Sequence, residues 1–478
     1  PLYSSAASDV YKRQDPERSV TEAMREMGVK FLRYPGGEKS DLYLFSVPPY
    51  ERSQPALART ANLEDYPGMI TDGNAFAFDP LDFDEYMAVC IATGAEPVVV
   101  VAADNYLLDV PDGKYVSTRE QLISHAAAWV RYANVKKGYG VRYWMIGNES
   151  WNRNNPNSTP EIYARDVIDF SKTMKAVDPT ILIVPNGHGD AFFKTVITIA
   201  GDHIDRLCVS NYGVHDFFRG YSSYRDTARC LINPVLTAIN AINRYATADQ
   251  LKRWKLIVAE YGSIDWSGRW PGINDMGHAI VTFDMTGQLL LQPGVEFSCF
   301  WNTRWIENQQ KPGADHDALD PECNFYPTGY ALMIWGKFLG SRMISCGSNP
   351  FIRTYSSFDP DSGSLFVYLI NKRKVPEKVK IEPEGYHIES VVQAWEYFGE
   401  SSEDINPVWA EKKVTLHDRS VALKGMSITV LEMKITRSIS PMPEPIYGDR
   451  YATITMNLQN PCLKNLKYLT HEGSIHSN

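Results

Sequence analysis

From about residue 17 to about residue 340 the chain alternates two hydrophobic rhythms. Short runs of almost uninterrupted apolar residues occur at Lys30–Tyr34, Glu96–Ala102, Arg142–Ile146, Ile181–Val184, Arg206–Ser210, Lys255–Ala259 and Val295–Phe300. Runs of this length and composition fit strands of a parallel sheet covered on both faces. Between them apolar residues recur every three to four positions, which predicts helices. The first is Glu17–Met27, with Val20, Ala23, Met24 and Met27 on one face and Gly28 as its stop. Asp82–Gly94 follows. Ser117-x-x-Glu120 has the form of a capping box opening a helix to about Lys137, and Thr159-Pro160 reads as an N-cap with proline in the first turn of a helix to about Ala176. Ala191–Ala200, Ile232–Tyr245, Gly277–Leu291 and Tyr326–Leu339 complete the set.

Strands alternating with helices predict an α/β chain folded as a (β/α)8 TIM barrel. The pattern supplies seven strands, one short of closure. The natural place for the eighth is ahead of the helix at Glu17. Pro1–Gln14, however, show neither an apolar run nor a period, and read as a non-native or disordered leader. The first strand is therefore expected to be missing, together with the true N-terminus.

After about Gly340 the rhythm changes. Phe351–Tyr355, Ser364–Asn371, Val379–Ile381, Ser390–Tyr397, Val414–Leu416 and Ile428–Met433 are short β-type runs separated by Gly, Pro, Asp and Asn, which predicts a C-terminal antiparallel β-sandwich. Residues 437–478 lose the pattern and read as an irregular tail. The expected organisation is a leader (1–14), a catalytic barrel (15–340), a sandwich (341–436) and the tail.

Composition narrows the function classes. Of 478 residues 44% are hydrophobic and 22% charged, ordinary for a large globular chain. No apolar run approaches the ~18 residues of a membrane span. The net charge of −9 is spread along the chain without a basic run, which argues against nucleic acid as a partner. The seven cysteines (Cys90, Cys208, Cys230, Cys299, Cys323, Cys346, Cys462) are odd in number and form no CxxC; they read as buried free thiols, not a metal cluster or a disulfide framework. No cofactor is implied. Aromatic residues reach 12%, which serves a large core equally well as platforms for stacking sugar rings.

Candidate chemistry sits at two strand ends. The run from Arg142 stops at Gly147-Asn148-Glu149, and the run from Lys255 stops at Glu260. The C-terminal ends of barrel strands form the mouth where catalysis takes place. A retaining glycosidase needs two carboxyl groups ~5–5.5 Å apart, one protonated and one ionised. Either glutamate alone is as readily a solvated or ion-paired residue at a strand end; two of them, each closing an apolar strand, point to glycoside hydrolysis. Glu149 is the candidate acid/base, Glu260 the candidate nucleophile, and the Asn148 amide a ligand for a sugar hydroxyl beside the reacting carbon.

Gly147-Asn148-Glu149 and Ala259-Glu260 resemble the acid/base and nucleophile motifs of the clan of retaining TIM-barrel glycosidases. Phe31-Leu32-Arg33-Tyr34-Pro35-Gly36-Gly37 resembles the Arg-Tyr-Pro-Gly-Gly strand end of the α-L-arabinofuranosidases of glycoside hydrolase family 51, and Ser210-Asn211-Tyr212-Gly213 is similar to that family's Tyr-Gly segment. The likeness covers roughly residues 17 to 435. Where the family has Asn after Gly-Gly this chain has Glu38, and Gly-Gly-Glu-Lys-Ser-Asp is closer to the heparanase-like enzymes of family 79; Ala-Glu-Tyr replaces the usual Asp-Glu-Trp at the nucleophile. The resemblance implies a hydrogen bond from Tyr212 to the nucleophile, and Glu38 at a sugar ligand's position. Arg33 is expected in the floor of the site, keeping Glu260 ionised. Trp301 closes the last strand, where a sugar ring would stack. Trp151, Trp266, Trp270 and Trp305 lie in loops after strand ends as outer-subsite candidates; His188, His215 and Asp104-Asn105 are candidate hydroxyl ligands. The activity expected is retaining hydrolysis of a plant or algal carbohydrate, first an α-L-arabinofuranoside. Alternatives are a β-glucanase, β-xylosidase, glucuronidase or agarase-type enzyme, or a non-catalytic carbohydrate-binding barrel if the first strand is absent.

Overall fold

The computed structural model describes residues 3–6, 18–37, 39–45, 82–107, 117–152, 157–213, 217–303, 316–344, 346–414 and 419–437. The chain forms two compact units. One comprises 1–212, 232–262 and 292–336; the other comprises 213–231, 263–291 and 337–478. Segments 213–231 and 263–291, which the sequence pattern assigns to the barrel, thus cluster with the C-terminal unit. Among the described residues no helix is long and apolar enough to cross a membrane.

In the first unit the described residues form an eight-stranded sheet: β1 (Tyr3–Ala6), β2 (Phe31–Tyr34), β3 (Glu96–Val101), β4 (Tyr143–Ile146), β5 (Leu182–Pro185), β6 (Leu207–Asn211), β7 (Leu256–Tyr261) and β8 (Val295–Phe300). Their order is β5-β4-β3-β2-β1-β8-β7-β6, every pairing is parallel, and a parallel bridge between Asn186 and Cys208 joins the two outer strands, closing the barrel. The expectation that the first strand is missing does not hold. Ser4 pairs with Phe31 on one side and Cys299 on the other, within the segment read as a leader. Tyr-Ser-Ser-Ala has no apolar run to reveal it as a strand. The expected sites of the rest of the leader and of the tail, residues 7–14 and 438–478, lie outside the described residues.

Helices Val20–Glu26, Phe83–Thr93, Arg119–Val130, Pro160–Lys175, Gly189–Ala200 and Asn233–Tyr245 follow or separate the strands. One cap differs from the sequence reading. Thr118, not Ser117, caps the third of these helices: its hydroxyl accepts the Gln121 N–H and its own N–H is taken by the Gln121 side chain. Ser117 is buried. Alternate residues of the strands fill the barrel with Val98, Val100, Tyr143, Met145, Ile257, Ala259, Phe297 and Cys299. The Phe31 ring stacks on Phe297 at 3.9 Å between centroids, with Tyr143 edge-on at 6.0 Å. Two residues further along β2, on the same face, stands Arg33.

In the second unit β9 (Arg342–Ile344), β10 (Ile352–Asp359), β11 (Ser364–Asn371), β12 (Glu377–Lys380), β13 (Tyr386–Phe398), β14 (Val408–Glu411), β15 (Ser420–Leu423) and β16 (Ser427–Arg437) form a six-stranded antiparallel sheet, β9-β10-β11-β16-β13-β14, and a two-stranded one, β12-β15. Leu365, Val367, Leu369, Ala394, Val421, Leu423 and Leu431 meet in its core. The strand expected at Val414–Leu416 is absent at Val414, which follows β14, and 415–418 lie outside the described residues.

Candidate active site

Arg33 presents its guanidinium at the level where β4 and β7 end. Nη1 donates to Glu260 Oε1 at 2.9 Å, Nη2 donates to Asn148 Oδ1 at 2.6 Å, and Nε lies 3.4 Å from the Met145 sulfur. Arg33 and Glu260 are 1% and 5% exposed, so the pair is held away from bulk water. Tyr212, just past β6, donates its phenol to the other oxygen of Glu260, Oε2, at 2.9 Å. Burial, followed by the charges of Glu260 and Glu149, pushes the Tyr212 phenol well above its usual range, so it stays a donor. A carboxylate fixed by a cation on one oxygen and a phenol on the other is held ionised and in one orientation.

Strict alternation does not bring Glu260 inward, because Ile257 and Ala259 already face the barrel interior. A β-bulge does. Val258 pairs with Val209, but Glu260 pairs with Ser210, so Ala259 is an extra residue and Glu260 moves to the face of Ser210 and Cys208.

Glu149 follows Gly147 (φ 69°) and itself has φ 44°, in the left-handed region. Its carboxyl is pushed up to about 7, first by burial and then by the negative charge of Glu260; hydrogen bonds from Ser210 and Asn152 and the charge of Arg33 pull the other way. The Glu260 contribution places both carboxyl groups in one electrostatic site. Asn148 N–H donates to Asp41 Oδ1 at 3.0 Å. With Oδ1 taken by Arg33, the Asn148 Nδ2 has no partner among the described residues and remains available to a sugar hydroxyl.

Of the other candidates, Trp301 is 4% exposed with its ring tip against Gly37, where a Cβ would fall 2.4 Å from Cη2. Trp151 is half-buried and stacks on His188 at 4.4 Å. Burial lowers the His188 pKa, which keeps the ring neutral. Asp104 and Asn105 are buried, and Asn105 Nδ2 donates to the Asp41 carbonyl at 2.9 Å. In the second unit Trp270 is buried, stacked on His278 at 3.7 Å, whereas Trp266 is 54% exposed. Glu38, His215 and Trp305 lie outside the described residues. Ser210, Asp41 and Asn186 carry no role in the sequence pattern: Ser210 and Asn186 show only as polar residues at or just after the end of an apolar strand, and Asp41 only as the last residue of Gly36-Gly37-Glu38-Lys39-Ser40-Asp41, seven positions past β2.

A family model described as "Alpha-L-arabinofuranosidase 1 domain" matches residues 23–229. Alpha-L-arabinofuranosidase C of Emericella nidulans is 29% identical over 185 residues, and probable alpha-L-arabinofuranosidase C of Aspergillus niger 28% over 185; each match covers 35% of this chain and 31% of the relative. The chain thus aligns with less than a third of the length of these curated relatives. Among solved structures, alpha-L-arabinofuranosidase from Thermotoga maritima in complex with arabinose has a TM-score of 0.66 at 18% identity, covering 90% of this chain and 96% of that one. CelM2, a bifunctional glucanase-xylanase from a metagenome library, reaches 0.56 at 15% identity, covering 91% and 99%. The fold is therefore that of the family 51 enzymes, a TIM barrel with a C-terminal sandwich, and the sequence likeness to arabinofuranosidases spans residues 23–229.

Proposed function

We propose that this family 51-like chain is a retaining glycoside hydrolase that cleaves α-L-arabinofuranosides. The observation that carries the reading is the opposite treatment of two carboxyl groups in one site. Glu149 is kept protonated up to about pH 7 by burial and by Glu260, while Glu260 is clasped by Arg33 and Tyr212 as an anion.

In the first step a Glu260 oxygen bonds to the anomeric carbon as the bond to the leaving oxygen breaks, and the Glu149 proton passes to that oxygen. In the second, water attacks the anomeric carbon, Glu149 takes the water's proton, and the bond to Glu260 breaks. Two inversions return the starting configuration. The Asn148 Nδ2 donates to a hydroxyl beside the anomeric carbon, a bond that strengthens as charge develops there. Arabinofuranose is the sugar favoured, because the matched family model and the relatives named above are arabinofuranosidases, and the family model's match, residues 23–229, includes Arg33, Asn148, Glu149 and Tyr212.

The test is a panel of aryl glycosides: α-L-arabinofuranoside, β-xyloside, β-glucoside and β-glucuronide. Turnover of the arabinofuranoside above the others, abolished in Glu149→Ala and Glu260→Ala, supports the reading. Preference for another sugar overturns the substrate, and hydrolysis unaffected by Glu260→Ala overturns the mechanism.

A further inference from the structure

Glu149 occupies a backbone conformation that side-chain-bearing residues rarely adopt, one position from Asn148 and two from Gly147, which is left-handed as well. Such a turn persists only where its surroundings hold it. One side chain brackets it. Asn186, the residue after β5, accepts the Ser150 N–H at Oδ1 (2.9 Å) and donates from Nδ2 to the Ile146 carbonyl (3.0 Å) and to Ser150 Oγ (3.1 Å). Ile146 precedes the turn and Ser150 follows it, so a single amide ties its two ends together.

The amide is itself fixed. Asn186 is 4% exposed; its N–H donates to Tyr163 Oη at 2.8 Å, and that hydroxyl donates to the Ile146 carbonyl at 2.6 Å. The turn packs against it without slack: a Cβ on Gly147 would fall 2.7 Å from Ser150 Oγ. None of these bonds reaches the Glu149 carboxyl. Their combined effect is on the direction in which the backbone presents that side chain.

We propose that Asn186 is a positioning residue for Glu149, setting where its proton is delivered. This rests on the assignment of Glu149 as acid/base above. A misplacement of about 1 Å at a catalytic group costs on the order of a hundredfold in rate. The loss must appear where proton donation matters. A phenoxide leaving group needs the proton; a dinitrophenoxide, far less basic, departs without it. Attack by Glu260, held by Arg33 and Tyr212, is untouched.

The experiment compares kcat/KM, which reports the first chemical step, for phenyl and dinitrophenyl α-L-arabinofuranosides. Asn186→Ala is expected to lose at least about tenfold more on the phenyl than on the dinitrophenyl substrate. Asn186→Asp keeps the acceptor for Ser150 N–H and the side chain's size, so it answers the same question if the alanine variant fails to fold; the same bias is expected, smaller in size. Equal losses on both substrates, or none, overturn the role of Asn186 while leaving the glycosidase reading intact. A wild type that turns over neither substrate overturns the proposed function instead, and this role with it.

Discussion

Arg33 and Glu260 are 227 positions apart in the chain and 2.9 Å apart in space, and both are buried. The same guanidinium reaches Asn148, the residue before Glu149. Its planar fork thus links the Glu260 carboxylate to the strand end that carries Glu149, a geometry that a lysine's single ammonium cannot reproduce. The barrel brings these groups together: β2 lies beside β3, which pairs with β4, Arg33 faces inward on the same side as Phe31, and the bulge at Ala259 turns Glu260 inward.

Removing the cation leaves a buried carboxylate without its partner. Arg33→Met is expected to cost about 3–5 kcal/mol of stability near neutral pH, read as a lower denaturant midpoint. An unchanged midpoint contradicts the pairing. Arg33→Lys keeps charge but not the two-pronged geometry, and is expected to lose activity by about a hundredfold with a smaller stability cost.

The Glu149 carboxyl sits at about 7 in the folded chain against the usual 4.5. The proton it donates is present below about pH 7 and lost above it, so kcat/KM falls on a basic limb near that value. The same shift acts on stability. Between pH 4.5 and about 7 the folded chain keeps a proton that the unfolded chain releases, so the stability of the folded state declines as pH rises through that window. Glu149→Gln should therefore be more stable than wild type by about 1–3 kcal/mol at about pH 8, with little difference near pH 4, while losing the basic limb and most activity toward poor leaving groups. Thermal unfolding at both pH values checks the sign; a glutamine variant less stable at the higher pH contradicts it.

Gly37 is required by its neighbour. Its φ of 60° suits glycine, and a Cβ there would press on the Trp301 ring at 2.4 Å. Gly37→Ala is expected to destabilise by about 1–3 kcal/mol, with a loss of activity as the ring moves. Trp301→Phe removes the ring atoms in question. The double variant should therefore lose less than the sum of the single losses, a coupling measurable in a double-mutant cycle. Additive losses would remove the contact as the cause.

Much of this arrangement is legible in the sequence, for a physical reason. Parallel strands buried on both faces must be apolar throughout, so β2 to β8 stand out as runs and their ends mark Glu149 and Glu260. What stays hidden does not follow from period or composition. β1 has three small residues in four and no run. The inward turn of Glu260 depends on the extra Ala259, which a simple alternation does not foresee. Thr118 rather than Ser117 caps its helix because Gln121 completes the reciprocal bond from three residues on. Asn186 reads as one more polar residue after a strand until Ile146 and Ser150 are seen on either side of it.

If Glu260 attacks the sugar while Glu149 serves as acid and then base, as proposed, the sugar is bonded to Glu260 between the two steps. This is tested most directly by trapping the covalent intermediate. Glu149→Ala, which lacks the base for the second step, is mixed with dinitrophenyl α-L-arabinofuranoside, quenched in acid, digested and analysed by mass spectrometry. A pentosyl adduct is expected on the peptide that contains Glu260. An adduct on any other residue, or release of arabinose with inverted configuration and no adduct at all, would contradict those roles.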